Sequence, residues 1–266
     1  MGFKEKINAL YQSLINLKVV KATAILAIIT WISSIIIALI ISQFDPAGPS
    51  FDPAGFNPAI NYISDLGNQD LTPMPIIINY GMMNGSLLMI PTALYMKTIL
   101  IGESSKRVQK ILANLTVLFL LIAMGGLFLT GVLSEDVGEV WDQLFPIGIA
   151  WHDIVADFAF TFFMLSGILV SSQVIIFSNI LEDNIGITNS TRVRISLAIN
   201  TWILTPIFFA FFYTVPYLWY TDNFWTFLPF WQWAPFWEWL LMSSLTIWLV
   251  SAALLTVKQV NRELQK

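Results

Sequence analysis

The sequence has no cysteine, one histidine and little charge for its length. Without cysteine, neither a disulfide framework nor a thiolate metal centre can form. With His152 as the single histidine, a three-histidine zinc centre is excluded. Asp, Glu, Lys and Arg make up only 11% of the 266 residues, whereas soluble domains carry about 25%. That is too little polar surface to cover a water-soluble fold. There is no P-loop, no dinucleotide fingerprint, no HExxH pair and no Gly-x-Ser-x-Gly elbow. The few basic residues are scattered over short segments, which gives no basis for nucleic-acid binding.

Apolar residues are abundant instead, at 56%. They fall in runs of about 20 residues or more, enough helix to cross a hydrocarbon layer of about 30 Å. Six spans are expected, at Ala22–Ile41, Ile76–Met96, Ile111–Leu133, Ile154–Ile180, Ile195–Trp219 and Phe236–Val257. The fold class is therefore all-α: one polytopic membrane domain over residues 1–266, built as a six-transmembrane-helix bundle. The first run is longer than a signal-peptide core and no small-residue cleavage site follows it, so it is expected to remain as the first helix. Lys6 stands where a myristoylation signal needs Ser or Thr.

Charge placement supplies the orientation. Lys4, Lys6, Lys18 and Lys21 precede the first span, and Lys97, Lys106, Arg107 and Lys110 lie between the second and third. Arg192 and Arg194 lie between the fourth and fifth, and Lys258, Arg262 and Lys266 follow the sixth. These are all 13 basic residues of the chain. The positive-inside rule then places both termini in the cytoplasm and the first, third and fifth loops outside. A prokaryotic plasma membrane is the expected location. Trp231, Trp233, Trp237 and Trp239 mark the headgroup level at the start of the sixth span.

The first outer loop, residues 42–75, opens with a tandem Asp-Pro-Ala-Gly at Asp45–Gly48 and Asp52–Gly55. Pro and Gly at this density predict a turn-rich lid, and loops of this length are functional or disordered. Within the spans, Gly81, Gly85, Gly125, Gly126 and Gly131 are expected to let helix backbones approach closely. Pro91, Pro206 and Pro216 are expected to kink their helices.

The outer side is acidic. Asp45, Asp52, Asp65, Asp70, Glu135, Asp136, Glu139, Asp142, Asp153, Asp157, Asp222 and Glu238 fall on it with no Lys or Arg among them. Most are expected to be hydrated loop residues. Asp157 lies about five residues inside the fourth span, where a carboxylate needs a partner or a proton. Asp153 and Asp157 share a helical face, while His152 is turned about 100° from Asp153. A site using His152 must therefore recruit residues from other helices or loops. Three readings stand. His152 with Asp65, Glu135 and Asp136 could hold a divalent metal, although no cofactor is predicted. Asp65, Asn68, Asp153, Asp157 and Glu238 could bind a cationic or hydroxylated lipid headgroup. His152 could also simply bond an acid and fix the bundle. Ser64, Asp65 and His152 are the candidate catalytic residues if there is chemistry.

Ile63-Ser64-Asp65-Leu66-Gly67-Asn68 stands before the second span, followed by Asn79-Tyr80-Gly81 and Gly85. Gly131-Val132 with Glu135 and Asp136 leaves the third span, and His152 opens the fourth. This pattern resembles the prokaryotic six-span proteins grouped as domain-of-unknown-function family 998, which are similar to the FRAG/DRAM/SFK superfamily. Leu133-Ser134 replaces the Phe-Pro expected of the family before the acid, so Ser64, Asp65 and His152 carry the correspondence best. The resemblance implies a lipid-related role. The leading expectation is thus binding, or modification, of a membrane lipid or amphiphile at an outward acidic site. The others are a small permease with Asp157 as its protonatable group, and a non-catalytic scaffold. A homo-oligomer would restore the two-half symmetry that transporters use and this chain lacks.

Overall fold

The computed structural model describes residues 2–43, 56–57, 61–69, 72–102, 105–146, 150–177, 180–187, 190–219 and 234–266. The tandem repeat, Asp70, Asp222, Trp231 and Trp233 lie outside the described residues. Among those described there are helices and no strands. α1 (Phe3–Leu14) is short and amphipathic. It is followed by α2 (Leu17–Ser42), whose first turn is capped by Asn16 accepting the Lys18 N–H at 3.0 Å. Then come α3 (Ile76–Leu100), α4 (Arg107–Val132), α5 (Glu135–Leu144) and α6 (Trp151–Ile176). α7 (Ser190–Ala198) runs through a π-helical stretch, Ile199–Leu204, into α8 (Thr205–Trp219), and α9 (Ala234–Leu264) closes the chain.

Among the described residues, five helical segments are long and apolar enough to cross a membrane: α2, α4, α6, Ser190–Thr214 and α9. The protein is thus an all-helical, multi-pass integral membrane protein. The expected second span is α3, 25 residues long but less apolar, because Asn79, Asn84, Gly81, Gly85 and Ser86 interrupt it. The expected boundaries shift at several ends. α6 begins at Trp151 and stops at Ile176, the fifth helical segment begins at Ser190, and α9 continues to Leu264. The π-helical stretch directly precedes Pro206, whose missing N–H cannot bond the Trp202 carbonyl.

The long helices form a closed ring in which α2 packs on α3, α3 on α4, α4 on α6, α6 on α7, α8 on α9, and α9 back on α2. In lipid this packing cannot rest on the hydrophobic effect, so it depends on close van der Waals contact and buried polar pairs. Small residues make the contact. A Cβ on Gly81 would lie 2.3 Å from Ser34 Cβ of α2, and one on Gly131 would lie 2.5 Å from the Asn79 carbonyl oxygen of α3. A Cβ on Gly126 would lie 2.8 Å from the Ala159 nitrogen of α6. Gly85 makes only an ordinary contact with Trp31, and Gly125 meets nothing within 4 Å, so the packing expected of the whole set belongs to three of the five. The polar pairs are Gln173 Nε2 donating to Thr116 Oγ1 at 3.0 Å, joining α6 to α4, and Trp31 Nε1 donating to Thr246 Oγ1 at 3.0 Å, joining α2 to α9. Asn200 Nδ2 donates to the Ser244 carbonyl at 3.0 Å, and Ser244 Oγ returns a bond to Asn200 Oδ1 at 2.9 Å.

Gly125 and Gly126 therefore respond oppositely to the same added methyl. Gly126→Ala pushes against the α6 backbone and is expected to cost about 1–3 kcal/mol of stability. Gly125→Ala adds helix propensity with nothing to strike and is expected to be neutral or slightly stabilising. Thermal unfolding of both variants in one detergent measures the difference.

Candidate functional site

The end of the bundle expected to face outward (hereafter the outer end) is organised by residues 61–69, the second half of the segment joining α2 to α3. Ser64–Gly67 form a 3-10 turn, and carboxylates from two elements hold the amides leading into it. Asp65 Oδ2 accepts the Tyr62 N–H at 2.8 Å and Asn61 Nδ2 at 3.4 Å. Glu238 Oε2, from the first turns of α9, accepts the neighbouring Ile63 N–H at 2.7 Å. Trp239 Nε1 donates to the Asn61 carbonyl at 2.9 Å, and its ring meets Phe56 edge-on. From α3, Asn79 Nδ2 donates to the Gly67 carbonyl at 3.1 Å. A Cβ at 67 would lie 2.5 Å from Asn79 Oδ1, so any larger residue there would displace the Asn79 amide from this bond.

α5 completes this arrangement. Asn68 Nδ2 donates to Glu135 Oε2 at 2.9 Å, and the Gln69 N–H donates to Asp136 Oδ2 at 3.0 Å. α5 also rests on the start of α6. Gly138 faces His152, the Trp151 N–H donates to Asp142 at 3.0 Å, and Trp151 Nε1 donates to the Phe145 carbonyl at 3.1 Å. His152 is buried, with Nδ1 2.7 Å from the Leu133 carbonyl oxygen at the end of α4. Because a carbonyl oxygen can only accept, Nδ1 carries a proton and donates it there.

The sequence candidates thus divide. Asp65, Asn68, Glu135, Asp136 and Glu238 converge on one turn. His152 belongs to the α4–α5–α6 junction beside it, and among the described residues no hydrogen bond links it to Ser64 or Asp65. Ser64 opens the 3-10 turn, half-buried. Asp153 is exposed one turn outward from Asp157, and Asp157 accepts the hydroxyl of Tyr213 on α8. No group of three or more His, Asp and Glu poised to hold a metal ion is present among the described residues. His152, Asp65, Glu135 and Asp136 thus do not gather as one ligand set.

Sequence reading left out Asn61 and Tyr213, the contacts of Asn79 and Trp239, and the helix α5, whose acids it named without their helix. The signal for α5 was present: Ser134 before Glu135 and Asp136, then Val137, Val140, Trp141 and Leu144 at helical spacing.

A family model described as protein of unknown function, DUF998, matches residues 27–255. The chain belongs to the DUF998 family. No curated protein and no solved structure matches it. The match takes in the helical ring from the middle of α2 to near the end of α9, and with it every contact of the outer turn. In this DUF998 protein the motif residues are not spread over the surface. Gly67 touches Asn79, Asn79 touches Gly131, and Asn68 touches Glu135.

Asp65 is electrostatically unusual. Burial pushes its carboxyl up to about 7, and the negative charge of Glu135 adds to the rise, against the Tyr62 N–H and Asn61, which lower it. Its folded value thus exceeds its unfolded value of 3.8, so the stability it contributes is complete below about pH 4 and is lost as pH rises through about 7. Thermal unfolding in detergent is expected to show a midpoint that falls between pH 5 and 7.5 and then levels. Asp65→Asn keeps an oxygen for the Tyr62 N–H and removes the charge, so it should flatten that slope. The upper bound on the effect is about 4 kcal/mol, at 1.36 kcal/mol per unit.

Proposed function

We propose that this DUF998 protein crosses the membrane six times with both termini in the cytoplasm. At its outer end it binds a lipid or amphiphile whose headgroup is cationic or hydroxylated. The orientation follows from the 13 basic residues, all on segments that this topology places inside. α3, central in the ring and 25 residues long, supplies the sixth crossing; Asn79 and Ser86 turn to protein contacts, while Asn84 lies on the exposed side. The membrane is a prokaryotic plasma membrane.

One observation carries the ligand reading. A groove of about 350 Å³ lies between α2 and α9, walled by Ile32, Ile35, Ile36 and Met242. It runs up to Ile63 and Trp239, where the Glu238 and Asp65 carboxylates meet the outer turn. An acyl chain fits the walls, and Ile63 and Trp239 at the upper end connect the groove to the two buried carboxylates, since Glu238 precedes Trp239 and holds the Ile63 N–H. Each carboxylate spends one oxygen on a backbone amide, Oδ2 of Asp65 and Oε2 of Glu238. Oδ1 and Oε1 then accept from an amine or hydroxyl, with no Lys or Arg on that side to compete. Asn68 and the α5 acids form the rim. His152 and Gly138 hold α5 in place, which makes His152 a positioning residue.

Native mass spectrometry from mild detergent, with phosphatidylethanolamine added, tests this reading. The wild-type chain is expected to retain the lipid. Asp65→Asn with Glu238→Gln should weaken retention about tenfold or more, as expected for charge-assisted bonds. Ser243→Trp, which fills the groove, should do the same while leaving the acids intact. A bare mass for wild type, or adducts indifferent to both changes, would refute the outer site. Solute uptake into liposomes that is abolished by Asp157→Asn would replace it with the permease reading.

A further inference from the structure

A second groove, of about 400 Å³, lies at the opposite end of the bundle between α7 and α9. Arg192 of α7 and Lys258 of α9 line it together with Leu197, Ile247 and Leu254, and Asn200 of the π-helical stretch lines it as well. Both cations are exposed, and among the described residues neither forms an ion pair, although the nearby Arg194 is bound to Glu182 at 2.9 Å. Among the described residues no acidic side chain lines the groove. Along α7 it extends about 12 Å from Arg192 to Asn200, and along α9 about 17 Å from Lys258 to Ile247, at 1.5 Å per residue. Two helices thus bring cations to one end of a long apolar trough.

We propose that this groove is a binding site for an anionic phospholipid of the cytoplasmic leaflet. The phosphate sits between Arg192 and Lys258, and one acyl chain lies along Leu197, Ile247 and Leu254. Charge complementarity carries the assignment. A zwitterionic lipid brings a cation that these two residues repel, and a soluble anion leaves the apolar walls empty. Positive-inside topology accounts for basic residues near this interface, but not for two of them, from different helices, at the same end of one trough. Basic pockets between helices on the cytoplasmic side are suited to anionic headgroups. The leaflet assignment rests on the orientation proposed above; the binding chemistry does not.

The test is a native mass-spectrometric titration of the full chain with phosphatidylglycerol and with phosphatidylethanolamine of the same acyl chains. Once Asp65→Asn with Glu238→Gln has disabled the outer site, which takes phosphatidylethanolamine, phosphatidylglycerol is expected to be retained with about tenfold preference. That preference should vanish when Arg192→Gln and Lys258→Gln are added, and survive Arg192→Lys. Ser251→Phe, which narrows the trough without altering charge, should also reduce retention. Equal retention of the two lipids in the chain with the outer site disabled, or a preference that Arg192→Gln with Lys258→Gln leaves unchanged, would overturn the site. The acid variants separate this outcome from failure of the outer site.

Discussion

A backbone amide removed from water must find an acceptor, and in this protein the acceptors at the outer end are carboxylates. The Tyr62, Ile63 and Gln69 amides are taken by Asp65, Glu238 and Asp136, which come from the 3-10 turn, α9 and α5. The donor side chains of Asn79 and Trp239 bind carbonyls of the same segment. These bonds fasten an outer loop to the first, middle and last parts of the chain at once. They also explain why acids persist where no Lys or Arg neutralises them: hydrogen-bond donors of the backbone take the place of counter-ions.

Close packing below the turn makes this geometry attainable. Gly131 lets α4 reach the backbone of α3 at Asn79, which places the Asn79 side chain under Gly67. Gly126 does the same for α4 and α6, and so carries His152 to the end of α4, where it meets the Leu133 carbonyl. A fault in either crossing would be felt at the outer turn. The groove between α2 and α9 reaches this segment at Ile63 and Trp239.

Much of the fold was legible because helices in lipid must satisfy their own backbone, which leaves long apolar runs in the sequence. α3 begins at Ile76, as the pattern predicts. The π-helical stretch was not legible. Pro206 signals a disturbance, but whether the helix kinks or widens depends on partners such as Ser244 on α9. For the site, Ser64, Asp65, Asn68 and Glu238 could be named from sequence, yet their grouping could not. Glu238 and Ile63 are 175 residues apart, and nothing local marks the bond between them. Asp157 shows the opposite case: its depth required a partner, and Tyr213, the hydroxyl that follows a run of phenylalanines, provides it.

The central claim is that Glu238 of α9 holds the outer turn and thereby shapes the site beneath it. Hydrogen exchange over residues 61–69 in detergent, comparing wild type with Glu238→Ala, reads this most directly. The account predicts protection of the Ile63 region in wild type and exchange at least about tenfold faster in the variant, with α4 and α6 unchanged. Equal exchange in the two proteins would contradict it, and would mean that the turn stands without its carboxylate.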